Sequence, residues 1–101
     1  MDKLAIALAW QVALGLLQLE SRSWEFAMPV VVIERPDPRS CPGHGGEVRG
    51  CFDPANKVVM AVDKDALVHE FVHSLLLQSE GLAAMRDEAR VRALCKKSKK
   101  K

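Results

Sequence analysis

The stretch Asp63-Lys64-Asp65-Ala66-Leu67-Val68-His69-Glu70-Phe71-Val72-His73-Ser74-Leu75-Leu76-Leu77-Gln78 decides how the rest of the chain is read. Asp63 and Asp65 supply a side-chain acceptor and favourable charge for the first turn of a helix. Gly81 stands where such a helix ends or just past it. Within it lies an H-E-x-x-H pattern. Four residues is slightly more than one helical turn, so the His69 and His73 imidazoles project from one face, about 40° apart. Through neutral ring nitrogens they can fill two corners of a tetrahedral zinc site. Glu70 stands about 100° round the helix from His69, beside the metal rather than on it. From there it can take a proton from a zinc-associated water as general base. The competing reading is that two histidines share a face for packing reasons, in a helix that is otherwise nearly all apolar.

A catalytic zinc needs a third protein ligand and an open position. Downstream candidates are Glu80, Asp87, Glu88 and Cys95. With Gly81 at the turn of a helical hairpin, His73 and Glu88 lie at nearly equal distances from it, roughly 11–12 Å along each helix. Glu80 falls in the turn and Cys95 two turns further along. In a second helix over residues 82–95, Ala84, Met85, Val91 and Cys95 fall within about 60° of Glu88, with Arg86 and Arg90 opposite and Asp87 displaced about 100°. A carboxylate centred on an apolar stripe is costly unless it is paired or coordinates a metal. Glu88 is therefore the expected third ligand, with an i,i+4 ion pair to Arg92 as the plainer alternative.

Outward from this pair of helices the chain is orderly. Residues 4–19 are apolar apart from Gln11 and Gln18, with Lys3 in front. About sixteen residues fall short of the roughly 20 a spanning helix needs, so the stretch reads as the first helix of the domain. The alternative is a signal or anchor within residues 1–23, with Ser21 and Ser23 as a poor cleavage pair. On the first reading the protein is expected to be cytoplasmic, on the second exported or anchored. Pro29-Val30-Val31-Val32-Ile33 reads as a buried strand. Residues 35–46 hold three prolines and three glycines and form a loop. Residues 47–52 and 57–62 flank Asp53-Pro54-Ala55-Asn56, a type I turn composition, and so form a β-hairpin.

The chain of 101 residues, 49% hydrophobic and 28% charged, has room for one folded domain. Its net charge of +2 misleads, because five of its fifteen basic residues are lysines within 96–101. Without that tail, which is expected to be disordered, ten basic residues face thirteen acidic ones. The body is mildly acidic, which argues against a broad nucleic-acid surface. Nucleic-acid binding through the tail alone stays as a minor alternative. Cys41, His44 and Cys51 admit a second metal, a Cys41–Cys51 disulfide or reduced thiols, and a structural zinc lacks an evident fourth ligand there. Cys95 reads as a small core residue.

The order helix, strand, hairpin, H-E-x-x-H helix and glutamate-bearing helix resembles the zincin metallopeptidase scaffold. Glu88 makes the chain similar to the gluzincin branch, and its length to the single-domain minigluzincins. Residues 47–94 carry the resemblance. His69-Glu70-Phe71-Val72-His73 is the specific motif and Asp87-Glu88-Ala89 a looser match. The metzincin continuation is absent, because no glycine and third histidine follow His73 at the required spacing. The resemblance implies peptide-bond hydrolysis and a strand edge that receives the substrate as an extended peptide. Larger gluzincins stabilise the oxyanion with a tyrosine or histidine from a C-terminal subdomain. This chain has no tyrosine, and its one remaining histidine, His44 in the Gly-rich loop, reads first as a surface or structural residue and second as a candidate donor. Minimal members of the family can also be latent.

The sequence thus predicts a single α+β zincin-like domain over residues 1–95. One Zn2+ is held by His69, His73 and Glu88, with Glu70 catalytic. The expected partner is a peptide or protein substrate, and no membrane span is expected. The alternative function is a latent or inactive zinc-binding module with a regulatory or interaction role.

Overall fold

A computed structural model describes residues 1–36 and 49–98. They form α1 (Lys3–Leu16), a 3₁₀ segment (Glu20–Glu25), β1 (Val30–Val32), β2 (Gly50–Asp53), β3 (Val58–Ala61), α2 (Lys64–Glu80), α3 (Leu82–Met85) and α4 (Glu88–Ser98). This is a small α+β domain with one three-stranded sheet in the order β1-β3-β2. β1 runs parallel to β3 with Val31 opposite Val59, and β2 runs antiparallel to it with Phe52 opposite Val59. No helix among the described residues is long and apolar enough to cross a membrane.

The near-absence of a polar face on α2 has a direct cause in the packing. The helix lies against β2 and β3 on one side and against α1, α3 and α4 on others. Leu67, Phe71, Val72, Leu75 and Leu76 are fully buried in the core between them. α1 contributes Ala9, Trp10, Ala13 and Leu14 to the same core. The Trp10 indole meets the Phe71 ring edge to face at 5.1 Å between centroids, the favoured arrangement for an aromatic pair. At the far end of α2, the Gln78 side chain both accepts from the Ala27 N–H and donates to the Ala27 carbonyl, each at 2.8 Å. That double bond ties the entry to β1 onto the helix.

The capping chemistry of α2 follows the sequence. The Asp63 carboxylate accepts from the Ala66 N–H at 2.9 Å and also pairs with Arg49. At the other end Gly81 adopts φ 100°, a left-handed conformation that a side chain would strain. The hairpin turn is an Asx turn, with the Asp53 carboxylate accepting from the Ala55 and Asn56 amides.

Four expectations are corrected. β1 is not a buried strand: it is a sheet edge, and Val30 is 64% exposed. Lys57 belongs to the turn rather than to a strand, at φ 56°, the left-handed residue that follows a type I turn in longer hairpin loops. The helix expected over residues 82–95 is two helices, α3 and α4, because Asp87 caps a new start: its carboxylate accepts from the Arg90 N–H at 3.1 Å. α4 then continues to Ser98, so Lys96 and Lys97 are helical rather than part of a disordered tail. Residues 99–101 lie outside the described residues, as do Cys41 and His44 with the disulfide, second-metal and oxyanion roles assigned to them.

Candidate metal centre

α2 presents His69 and His73 one turn apart, their ring centroids separated by 5.0 Å. The α3–α4 junction carries Glu88 up to them. The His73 Nε2 lies 2.9 Å from Glu88 Oε1, and the His69 Nε2 lies 3.5 Å from Glu88 Oε2. All three ligand atoms fall within 4.8 Å of one another. Ligands bound at about 2.0–2.1 Å around a tetrahedral zinc stand roughly 3.3 Å apart, and the two carboxylate–imidazole separations bracket that spacing. The donor set is two imidazoles and one carboxylate, the residue types that zinc accepts. These three residues could hold a metal ion.

Protonation suits the same role. A neutral imidazole that coordinates through Nε2 carries its proton on Nδ1. His73 Nδ1 lies 2.6 Å from the Met85 carbonyl oxygen, which can only accept. The bond therefore places a proton on Nδ1, so that a neutral His73 ring would direct its Nε2 lone pair at the cluster. Metal-binding histidines are usually oriented by a partner of this kind. Burial, followed by the neighbouring His73, holds the His69 imidazole below its ordinary value, outweighing the opposite pull of Glu88. A ligand histidine must be neutral.

Glu70 stands on the side of α2 that faces β2. It is only 6% exposed, and burial, with a smaller contribution from the Glu88 charge, pushes its carboxyl up to about 8. A divalent cation at the neighbouring cluster acts in the opposite sense, favouring the ionised carboxylate that a general base requires.

Gly50 is what makes room for Glu70. A Cβ built on Gly50 meets Glu70 Cγ and Oε2 at 3.0 Å and the Ala66 Cβ at 3.3 Å. Gly50→Ala is therefore expected to displace the Glu70 carboxylate, at a stability cost of about 1–3 kcal/mol from overpacking. Zinc content should be unchanged, because no ligand is touched. Metal analysis beside thermal unfolding checks this: lower stability with metal binding unchanged from wild type is the expected pair of results.

Among the described residues, the acidic and histidine candidates of the sequence each have a definite place. His69, His73 and Glu88 come together and Glu70 lies beside them, whereas Glu80 is held by Arg90 in a two-point ion pair. Glu88 addresses the histidines, and the Arg92 guanidinium also acts on His69, lowering its pKa. Asp87 is a cap, so Asp87→Ala should cost about 1 kcal/mol in thermal or denaturant unfolding and leave any metal binding at the cluster unchanged. Two contributors escaped the sequence reading, Gly50 and the Met85 carbonyl, while Cys95, weighed there as a ligand and then as a core residue, has its thiol 3.6 Å from His69 Nδ1. A lone glycine in a strand hints at a close approach, and Cys95 stands seven residues after Glu88 on the same face. No signal marks the Met85 carbonyl, since any residue offers one. The chain matches no protein-family model, no curated protein and no solved structure.

Proposed function

We propose that this chain is a zinc-dependent metallopeptidase of the gluzincin type, with His69, His73 and Glu88 as the metal ligands and Glu70 as general base. The observation that carries the reading is the convergence of two Nε2 atoms and one carboxylate within 4.8 Å, with the buried Glu70 on the adjoining face of α2. When bound, zinc supplies positive charge that polarises a carbonyl oxygen and makes water more acidic. The Met85 carbonyl holds the His73 ring in the ligating tautomer. Glu70 takes a proton from the attacking water and returns it to the amine nitrogen as the peptide C–N bond breaks. Its apolar surroundings make that carboxylate a stronger base than one in water.

The position of β2 supports the same reading. Among the described residues β2 is an outer strand, and it begins at Gly50 against Glu70. The Val62 N–H donates to the Arg49 carbonyl. Antiparallel alternation then directs the backbone groups of Cys51 and Asp53 towards β3 and those of Gly50 and Phe52 outwards. An extended peptide pairing with Gly50 and Phe52 would run alongside Glu70 by strand addition.

The test is cleavage of an unstructured protein by the zinc-loaded chain, read by mass spectrometry, with Glu70→Gln as control. Fragments from the wild type that vanish in the variant are expected. Equal cleavage by both contradicts the proposal. A second reading, a latent or inactive zinc module, is favoured by the small exposure of Glu70, 6%. It predicts full zinc occupancy and no fragments.

A further inference from the structure

His69 and His73 are held differently on the side away from the cluster. The His73 Nδ1 faces a carbonyl oxygen at 2.6 Å, whereas the His69 Nδ1 faces the Cys95 Sγ at 3.6 Å, within reach for a sulfur acceptor. Cys95 is not in a disulfide. Glu88 and Cys95 are seven residues apart on α4, two turns along one face. One imidazole therefore lies between them, its Nε2 towards Glu88 and its Nδ1 towards the thiol.

We infer that Cys95 is a positioning residue for the metal centre, accepting the His69 Nδ1–H and so fixing the ring with its Nε2 lone pair on the metal. The inference rests on the metal-centre reading above. A carbonyl leaves His73 one tautomer. A thiol can accept or donate, so the His69 tautomer depends on which role the sulfur takes, and coordination through Nε2 requires it to accept. Outer partners of ligating histidines typically contribute 10–100-fold to metal affinity. Cys95 is thus a metal-affinity residue that touches neither metal nor substrate.

Co2+ titration followed by its visible absorption, with Zn2+ competition, separates the possibilities in wild type, Cys95→Ser, Cys95→Ala and Cys95→Val. A hydroxyl can accept the N–H, so Cys95→Ser should bind within a few-fold of wild type. Ala and Val cannot, and should bind about 10–100-fold more weakly, while thermal unfolding of the metal-free chains stays similar. Val fills the volume, so it reports the lost acceptor even where Ala disturbs packing. In the zinc form, the His69 Nδ1 proton should give a slowly exchanging NMR resonance in wild type and Cys95→Ser, and be lost in Cys95→Val. Wild-type affinity in both Ala and Val overturns the inference alone, as does an equal loss in Ser and Val. A wild-type chain that binds neither ion overturns the metal-centre reading itself.

Discussion

Glu70→Gln is expected to lower peptide cleavage by about 10²–10⁴-fold, the usual contribution of a positioned general base, while the chain keeps one zinc. The amide has nearly the shape of the carboxyl group but cannot accept the water's proton. Zinc analysis and cleavage measured on the same preparation check this, and loss of zinc would make Glu70 a ligand. The metal-free chain carries a related signature. The Glu70 carboxyl lies at about 8 when folded against an ordinary 4.5. Between those values the unfolded chain has released a proton that the folded chain retains. Stability should therefore fall as pH rises through this window, by at most about 1.4 kcal/mol per pH unit, and level off above it. Unfolding of metal-free Glu70→Gln across pH 5–9 should lack that slope.

Glu88→Ala should remove most zinc affinity, since it leaves two ligands on one helix. The loss should exceed the 10–100-fold typical of an outer partner. Zinc that binds only the folded state, at about a thousand times its Kd, adds about 4.1 kcal/mol. For a domain of this size that is a rise in Tm on the order of 15–30 °C. Calorimetry with and without zinc should show that rise in wild type and little of it in Glu88→Ala. The two metal-free chains should differ by no more than about 1 kcal/mol, because Glu88 is partly solvated in the first turn of α4. An Asp87→Ala control should retain the zinc-induced rise despite its lower starting stability.

What the sequence disclosed, and what it did not, follows from the range of the interactions. The Asp63 cap, the Gly81 stop and the shared face of His69 and His73 are set within a few residues, so spacing and side-chain chemistry suffice to read them. Glu88 was legible for a less direct reason: a carboxylate on an apolar stripe demands a partner. The equal-armed hairpin that also selected it was an idealisation, because the Asp87 cap divides the second arm into α3 and α4. The same residue's capping role was hidden by the helical phase that had placed it on an edge. Val30 looked buried because β-branched residues are common in edge and central strands alike. The approach of Gly50 to Glu70 and of Cys95 to His69 joins residues 20 and 26 positions apart. Only the packing of β2 and α4 on α2 creates those contacts, and no local pattern encodes that packing.

The most direct measurement is the zinc content of the purified wild-type chain after reconstitution at neutral pH and removal of loosely bound metal. The convergence of His69, His73 and Glu88 predicts one equivalent per chain. Well under half an equivalent would contradict it, and the two imidazoles and the carboxylate would then be an ion-pair cluster with no metal to hold.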